Sequence, residues 1–479
     1  MKAPNQLFIS NEWVDSSSGE KTEIINPATE EVIDTVAMAS QKDLEKAEAD
    51  AMQGYQQWKE TDAWTRSRLL SRMADWLRKN SEDIAITLTQ EQGKPLSEAR
   101  AEVHASAEQY EWYSGEALRI YGRIVEAHSK EHRILVLRQP VGPVAAFSPW
   151  NFPIMLTARK IGPALAAGCS VIVKPPIEAP RSPLFLAQAA KEAGLPSGVL
   201  SMVPGNPPFV SRHLIDSPVI RKVSLTGSVP VGRELARLCA EKLKPISLEL
   251  GGHSAVLVFE DADIEDAAEK CARGKYRNNG QVCISASRFF VQESVLSKFI
   301  KKFTEITRSL KIGNGKDPGV DIGPLSNRKR QDCAQALVAD AVSKGARIEY
   351  GGFVPKEFSK GYYYMPTVLT GIREDMTIMH EEPFCPIAPI TSFQNLEDGL
   401  SKANCTSFGL AGYVFTKSTK TAFLAAERLD CGMVGVNNLV ISTPEAPFGG
   451  VKQSGMGREG GTEWIEAYTT AKYINIRLE

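Results

Sequence analysis

The hydrophobic pattern changes along the chain and predicts different elements in successive stretches. Short alternating segments at residues 7–14 and 24–38 predict strands and turns near the amino terminus. From about Gln41 to Tyr121, apolar residues recur every three or four positions between charged ones, which is typical of amphipathic helices. Beyond residue 141, short apolar segments alternate with helical segments. This alternation predicts βαβ units, a parallel sheet and crevices at the carboxyl ends of its strands.

A second α/β unit is predicted to begin near residue 251, where the alternation restarts after Glu249 and two glycines. Its first elements are a helix over residues 262–280, a strand over 288–295 and a helix over 295–310. The chain ends in a further predicted strand, residues 471–479, which has no obvious partner nearby. We expect this strand to extend a sheet elsewhere in the chain or in another subunit.

Composition and charge exclude several classes of protein. A chain of 479 residues with 43% hydrophobic and 24% charged residues can bury a large core and form two to four structural units. The 56 Lys and Arg residues against 57 Asp and Glu offer no basic surplus for nucleic acid or an anionic membrane. The amino terminus is polar, and no apolar run approaches the roughly 18 residues of a membrane-spanning helix. Eight scattered cysteines without metal-ligand spacing indicate reduced thiols, so we expect a cytoplasmic protein without a metal site.

Three polar side chains stand at the ends of predicted elements, where chemistry could occur. Cys283 lies in a turn between a helix and a strand and is either a nucleophile or an inert buried thiol. Glu249 ends an apolar strand and is either a general base or a capping or ion-paired carboxylate. Asn151 follows a strand in a proline-stiffened loop, where its amide donates either to an oxyanion or within an ordinary turn. Taken singly, these residues leave both alternatives open.

Two further features suit a nucleotide. Lys174 ends a strand and precedes two prolines, which would hold its ammonium beside ribose hydroxyls or a phosphate. The segment Gly227–Gly232, which includes Ser228, follows a strand and opens a helix, so its free backbone N–H groups could bind a pyrophosphate. The segment is not GxGxxG, and such a junction alone is a weak signal. Its occurrence in one alternating chain with the three polar residues favours nucleotide-dependent chemistry.

Seven motifs, in the expected order and over almost the whole chain, resemble those of the aldehyde dehydrogenase superfamily. They are PWNFP at 149–153, KP at 174–175, TGS at 226–228, LELGG at 248–252, GQVC at 280–283, EEPF at 381–384 and PFGGVKQSGMGRE at 447–459. The resemblance implies an α/β fold with two parallel-sheet domains and a small β arm for association into a homodimer or homotetramer. We expect a Rossmann-like NAD(P)-binding domain at residues 1–122 and 142–250, a catalytic domain at 251–447, and the arm at 123–141 and 460–479.

The resemblance also implies a role for each site residue. Cys283 would attack the aldehyde, while Asn151 and the backbone N–H of Cys283 hold the oxyanion. After hydride has passed to the cofactor, Glu249 would activate the water that hydrolyses the thioester. In the cofactor site, Lys174 and Glu382 would hold ribose hydroxyls, and Ser228 would hold the pyrophosphate. The ring of Phe384 would pack near the nicotinamide ribose. Further cofactor contacts are expected from Pro149, Trp150, Ile177 and Gly227.

Within the superfamily, the chain is most similar to succinate-semialdehyde dehydrogenases, through KYRNNGQVC at 275–283 and ISTPEAPFGGVKQSG at 441–455. In that subfamily two arginines and a serine hold the distal carboxylate of the substrate, and Arg159, Arg277 and Ser442 match them. An arginine fork fits a carboxylate geometrically. Both arginines could instead be structural ion-pair partners.

Other substrates and another class of protein stay open as alternatives. They are longer ω-carboxy aldehydes such as glutaric or 2-oxoglutaric semialdehyde, and aromatic or aliphatic aldehydes, for which Trp150, Phe152 and Phe448 could line an apolar funnel. The alternative from another class is a non-catalytic structural member of the superfamily, against which the intact Cys283, Glu249 and Asn151 argue.

The sequence departs from its relatives at two positions. Ser285 stands where some relatives carry a second cysteine, so a disulfide switch at the nucleophile should be absent. Ile177, with Glu178 beside it, stands where NAD-preferring relatives often carry a glutamate that contacts the adenosine ribose 2′-hydroxyl. Losing that carboxylate removes a repulsion against a 2′-phosphate, so the sequence favours NADP while leaving NAD open.

Overall fold

The computed structural model describes residues 2–478, which form two large sheets, a three-stranded sheet and a two-stranded sheet. Met1 and Glu479 lie outside the described residues, so the first residue of the predicted cofactor domain and the last residue of the predicted arm are not part of this description. Among the described residues, no helix has both the length and the apolar character needed to cross a bilayer.

The amino-terminal third contains short strands followed by a group of helices, as the pattern predicts. Ser40 and Asp43 form a capping box at the first helix, which fixes where that helix starts. The elements are β1 (Leu7–Ile9), β2 (Glu12–Val14), β3 (Lys21–Ile25), β4 (Val32–Ala37), α1 (Gln41–Trp58), α2 (Ala63–Lys79), α3 (Ser81–Gln92), α4 (Leu96–Glu116), β5 (Arg123–Val125) and β6 (His132–Pro140).

Strands and helices then alternate up to Glu249. The elements of this region are β7 (Val144–Phe147), α5 (Pro153–Ala167), β8 (Val171–Lys174), α6 (Arg181–Ala193), β9 (Leu200–Met202), α7 (Pro207–Asp216), β10 (Lys222–Thr226), α8 (Val229–Glu241) and β11 (Ile246–Glu249). Strands β7, β8 and β10 are buried along their whole length, and β7 and β8 are mainly apolar, which is typical of a parallel sheet covered on both faces.

The second alternating region follows Gly251. Its elements are β12 (Ser254–Val258), α9 (Ile264–Tyr276), β13 (Ala286–Gln292), α10 (Leu296–Ser309), α11 (Arg328–Ser343), β14 (Arg347–Tyr350), β15 (Thr367–Thr370), β16 (Ile387–Phe393), α12 (Leu396–Asn404), β17 (Ala411–Phe415), α13 (Thr419–Arg428), β18 (Met433–Val436), β19 (Gly455–Met456), α14 (Trp464–Tyr468) and β20 (Thr469–Arg477).

The first large sheet has the strand order β19-β11-β10-β7-β8-β9-β1-β2. Its five central strands, from β11 to β9, run parallel, while β19 and β1 run antiparallel to them and β2 pairs antiparallel with β1. Thr226 pairs with Glu249, and Phe147 pairs with Lys174. The register therefore brings the carboxyl ends of these four strands, and the side chains predicted to do chemistry there, to one edge of the sheet.

The second large sheet has the order β14-β15-β16-β13-β12-β17-β18 and is parallel except for β14. Ser254, the first residue of β12, pairs with Ala286, the first residue of β13. The loops that precede these two strands therefore lie side by side. One of them follows Glu249 and the other contains Cys283, so the second sheet contributes the amino ends of its strands to the site.

The final strand, β20, pairs antiparallel with β6 from Thr469 opposite Pro140 to Arg477 opposite His132. With β5 on the other side of β6, this makes the three-stranded sheet. The partner of the final strand is therefore in the same chain. The outer surface of this sheet exposes apolar side chains, including Ile124 at 77% and Tyr473 at 62% exposure.

Candidate active site

Cys283 lies in the loop before β13, partly exposed at the edge of a large apolar cluster. Burial and the nearby carboxylates of Glu249 and Glu382 raise the pKa of its thiol well above the usual value, and the charge of Arg159 opposes the shift. A thiol in this environment is mostly protonated at neutral pH. Its use as a nucleophile therefore requires a base that accepts its proton.

The turn before Cys283 differs from the sequence prediction. The helix predicted over residues 262–280 ends at Tyr276, and Arg277–Gly280 form a tight turn in which Asn278 and Asn279 have left-handed φ angles of 47° and 56°. Asparagine tolerates this conformation better than most residues. Glu98 stabilises the turn, because its Oε2 accepts the N–H of Asn278 at 2.9 Å. The predicted helix end was wrong because this contact is not local in sequence.

Glu249 is buried at the end of β11, with 2% of its surface exposed. In the described part of the chain, neither of its carboxylate oxygens has a hydrogen-bond partner. Burial and the charge of Glu459 raise its pKa to about 8, against the opposing charges of Lys160 and Arg159. Its ionised form, which dominates above about pH 8, has free oxygens that can take a proton from a thiol or a water molecule.

Two glycines after Glu249 let the site residues approach each other closely. A side chain at Gly252 would place its Cβ 2.6 Å from the carbonyl oxygen of Cys283. The N–H of Gly252 donates to Oε1 of Glu382 at 2.9 Å. The LELGG segment therefore holds the predicted nucleophile, the predicted base and a predicted cofactor ligand around one stretch of backbone.

Asn151 lies in the loop between β7 and α5 and is 3% exposed. Its side-chain amide donates to the carbonyl of Gln281 at 3.0 Å, two residues before Cys283. Its own carbonyl accepts hydrogen bonds from Nζ of Lys94 at 2.8 Å and from Nδ2 of Asn278 at 2.9 Å. The structure thus brings the predicted oxyanion donor against the loop of the predicted nucleophile.

The three residues predicted to bind a carboxylate occupy different environments. Arg159, on α5, is 1% exposed, and its Nη2 donates to Oγ of Ser442 at 2.9 Å. Its Nη1 is buried and lacks a hydrogen-bond partner among the described residues. Arg277 is exposed, with its guanidinium 5.1 Å from the ring centroid of Phe152. Within residues 2–478 neither arginine forms an ion pair with a carboxylate, but the charge of Arg277 opposes the burial-raised pKa of Glu98, so the structural alternative is weaker for Arg159 than for Arg277.

The residues predicted to bind the cofactor lie around the carboxyl edge of the first sheet. Lys174 is buried at the end of β8, and burial lowers its pKa to about 8 while the charge of Glu178 opposes the shift. Oγ1 of Thr226 is buried without a partner in the described residues, and Ser228, the N-cap residue of α8, makes no side-chain capping hydrogen bond. Hydroxyl groups without partners close to the start of a helix can bind a pyrophosphate.

The remaining predicted cofactor contacts are partly exposed beside this edge. The rings of Trp150 and Phe384 pack edge to face, with centroids 5.5 Å apart. Pro149 and Ile177 are partly exposed, and Gly227 precedes α8. This donor set and apolar surface fit a nicotinamide dinucleotide.

The aldehyde dehydrogenase family model matches residues 13–474. The chain belongs to the aldehyde dehydrogenase family. It is 41% identical over 473 residues to glutarate-semialdehyde dehydrogenase of Pseudomonas putida, a match that covers 99% of this chain and 98% of that protein. It is 39% identical over 473 residues to the NADP(+) succinate-semialdehyde dehydrogenase of Escherichia coli, again over 99% and 98% of the two chains.

The fold agrees with solved structures of the family. The crystal structure of succinate-semialdehyde dehydrogenase from Burkholderia pseudomallei superposes with a TM-score of 0.97 at 40% identity, over 99% of this chain and 98% of that one. The predicted α/β fold class and the predicted enzyme class, an NAD(P)-dependent aldehyde dehydrogenase, are both confirmed.

This aldehyde dehydrogenase also contains a buried pair that the sequence reasoning missed. Nζ of Lys160 donates to Oε1 of Glu459 at 2.8 Å and to Oγ of Ser224 at 3.2 Å, with the lysine side chain fully buried. Both charges act on the pKa of Glu249. The sequence feature that could have indicated this pair is the presence of two adjacent cations, Arg159 and Lys160, in an otherwise largely apolar helix.

Proposed function

We propose that this aldehyde dehydrogenase oxidises short ω-carboxy aldehydes, with succinic semialdehyde, converted to succinate, as its main substrate. The observation that carries this proposal is the buried guanidinium of Arg159, whose Nη2 is bonded to Ser442 and whose Nη1 has no acceptor within residues 2–478. A buried donor without a partner costs free energy, and a carboxylate oxygen would remove that cost. Similar proteins bear the names succinate- and glutarate-semialdehyde dehydrogenase.

In the proposed first step, Cys283 attacks the aldehyde carbon and a C–S bond forms. The thiol proton passes to Glu249, whose pKa of about 8 suits this transfer. The carbonyl oxygen becomes an alkoxide, which accepts hydrogen bonds from the amide of Asn151 and the backbone N–H of Cys283. The product is a thiohemiacetal on Cys283.

When bound, NAD or NADP supplies the acceptor for the hydride that leaves the thiohemiacetal carbon. Lys174 and Glu382 would hold its ribose hydroxyls, and Ser228 with the start of α8 would hold its pyrophosphate. Ile177 presents no carboxylate to a 2′-phosphate, so we propose that NADP is the preferred cofactor.

Loss of the hydride leaves a thioester, which Glu249 prepares for hydrolysis by taking a proton from water. The C–S bond then breaks, the carboxylate product forms and the thiol is restored. We propose that Glu249 first releases the proton taken from Cys283, and that the charge of Lys160 assists this release because it favours the carboxylate form of Glu249.

We also propose that the chain forms a homodimer or homotetramer through the three-stranded sheet. Its exposed apolar side chains include Ile124, Tyr473 and Ile476, and a monomer in water would leave them uncovered. A cytoplasmic location is proposed from the eight cysteines, all of which are free thiols.

The experiment that tests the substrate proposal measures formation of reduced cofactor with NAD and with NADP. Succinic semialdehyde, glutaric semialdehyde, benzaldehyde and an aliphatic aldehyde are compared. We expect kcat/KM to favour the acidic aldehydes by at least about tenfold, since each charge-assisted bond contributes about 1.5–3 kcal/mol. Glutaric semialdehyde is the second candidate, because Arg277 is exposed and can shift to accept one more methylene. A preference for neutral aldehydes would refute carboxylate recognition.

Replacing Arg277 with Ala should raise KM for succinic semialdehyde about ten- to a hundredfold while changing KM for a neutral aldehyde by less than about twofold. The reason is that only the acidic substrate loses a charge-assisted hydrogen bond. Arg273→Ala is the matched control, because Arg273 is an exposed arginine one turn earlier that pairs with Glu269. Equal effects of R277A on both substrates would count against a carboxylate-binding role.

A further inference from the structure

Lys94 and Glu102 form a buried ion pair beside the active site that the mechanism above does not use. Both side chains are fully buried, and Nζ of Lys94 lies 2.5 Å from Oε2 of Glu102. Lys94 lies in the connection between α3 and α4, and Glu102 lies on α4. Burying two charges has a large desolvation cost, so such a pair is weak evidence for stability alone. Its contacts indicate a role in positioning.

Lys94 holds the main chain at Asn151. Its Nζ donates to the carbonyl oxygen of Asn151 at 2.8 Å. The same ammonium lies 4.0 Å from the ring centroid of Phe152, the next residue along the chain. The ammonium therefore fixes both the peptide that follows Asn151 and the adjacent aromatic ring.

Glu102 holds the start of α5, immediately after Asn151. Its second oxygen, Oε1, accepts the N–H groups of Ile154 at 2.9 Å and of Met155 at 3.3 Å. These are donors that the helix itself cannot satisfy. A single carboxylate thus links the first turn of α5 to the ammonium that holds Asn151.

The same connection reaches the loop of Cys283. The backbone N–H of Lys94 donates to Oε1 of Gln92 at 3.0 Å, and Nε2 of Gln92 donates to Oδ1 of Asn278 at 3.1 Å. Nδ2 of Asn278 in turn donates to the carbonyl of Asn151 at 2.9 Å. The chain around Asn151 is therefore held from the side of α4 and from the side of the nucleophile loop.

We propose that Lys94, together with Glu102, is a positioning residue that sets where the side-chain amide of Asn151 lies relative to Cys283. The inference rests on the proposed role of Asn151 as an oxyanion donor. Neither Lys94 nor Glu102 touches the reacting atoms. Their effect on turnover is transmitted through Asn151.

A double-mutant cycle tests whether Lys94 and Glu102 act on turnover through Asn151. The assay is hydrolysis of p-nitrophenyl acetate without cofactor, since acylation of Cys283 by an activated ester needs an oxyanion site but neither the residues proposed to bind the substrate carboxylate nor a nucleotide. The variant Lys94→Met with Glu102→Gln removes both charges of the ion pair, so neither member is left buried without the other. We expect it to lower kcat about ten- to a hundredfold, within the range for an impaired oxyanion donor. Added to Asn151→Ala, it should lower kcat by no more than about twofold further.

The outcomes separate the inference from the proposed function. If the losses multiply, Lys94 does not act through Asn151 and the inference is wrong. If Asn151→Ala alone has no effect, the oxyanion role is wrong and the inference fails with it. If the double variant does not fold, Lys94→Arg replaces it in the cycle. This variant keeps a charge opposite Glu102 but places a bulkier guanidinium against the carbonyl of Asn151.

Lys402→Met is the matched control for the loss of a lysine. Nζ of Lys402 also bonds one carboxylate and one carbonyl, those of Asp398 at 2.9 Å and Ser392 at 3.1 Å, away from the site. This variant should keep the wild-type rate. Cofactor affinity, measured by fluorescence titration, should be unchanged in the Lys94 variants, whereas general distortion of the fold would lower it.

Discussion

Replacing Cys283 with Ala is expected to abolish aldehyde oxidation, with a loss in kcat of at least about 10⁴-fold, because no thiohemiacetal can form. The measurement is reduced-cofactor formation with succinic semialdehyde. Cofactor binding, followed by fluorescence titration, should be retained, since the predicted nucleotide contacts lie at Lys174 and the start of α8. Full turnover by the variant would show that the proposed mechanism is wrong.

Cys333→Ala is the matched control for the nucleophile. Cys333 is also a partly exposed free thiol, and it lies on α11, outside the site. We expect this variant to oxidise succinic semialdehyde at the wild-type rate. A comparable loss in both variants would mean that removing a thiol harms the fold in general.

Replacing Glu249 with Gln should slow both the attack by Cys283 and the hydrolysis of the thioester. The amide has nearly the same shape as the carboxylate but cannot accept a proton from the thiol or from water, so we expect steady-state turnover to fall about 10²–10⁴-fold. If acylation stays faster than hydrolysis, a rapid-mixing experiment should show a burst of about one reduced cofactor per site before the slow phase. Denatured protein from this phase should carry the acyl group, which mass spectrometry would detect. A Glu249→Gln variant that keeps wild-type turnover would refute the assignment of Glu249 as the base.

The pH dependence follows from the same residue. Because the pKa of Glu249 is raised to about 8, the protonated form dominates below that pH and the carboxylate above it. Turnover limited by hydrolysis should therefore rise between about pH 7 and 9 and then level, with its midpoint near pH 8. In Glu249→Gln this rise of turnover with pH should be absent. Glu48→Gln is the control, because burial raises the pKa of Glu48 too, but it pairs with His213 on another face.

The parts of the site that follow strand ends were predictable from the sequence. An apolar run that stops at Glu249 or Lys174 places that residue at the carboxyl edge of a parallel sheet, and the register of β10 with β11 and of β7 with β8 agrees. The motifs around Asn151 and Cys283 were also recognisable, and the structure brings their loops into contact through Gln281. The local pattern was sufficient because the place of each of these residues is set by the strand that it ends.

Other features depend on distant residues and could not be predicted from local pattern. The helix that ends at Tyr276 is broken by a turn that Glu98, on α4, stabilises. The partner of β20 is β6, more than 300 residues earlier in the chain, and strand periodicity does not specify a partner. Lys94 and Lys160 read as ordinary charged residues because their burial follows from packing between separate elements.

The edge strand β19 has a consequence for the order in which the protein assembles. Strand β11, which ends in Glu249, receives its outer neighbour only from Gly455–Met456. A ribosome makes the chain from its amino end, so most of the first sheet is synthesised long before that edge can close. During this interval β11 presents an unpaired edge, and Lys160 lacks the carboxylate of Glu459. The catalytic centre therefore matures last, after nearly the whole chain has been synthesised, and truncation near the carboxyl terminus would leave a largely folded but incomplete enzyme with an adhesive edge.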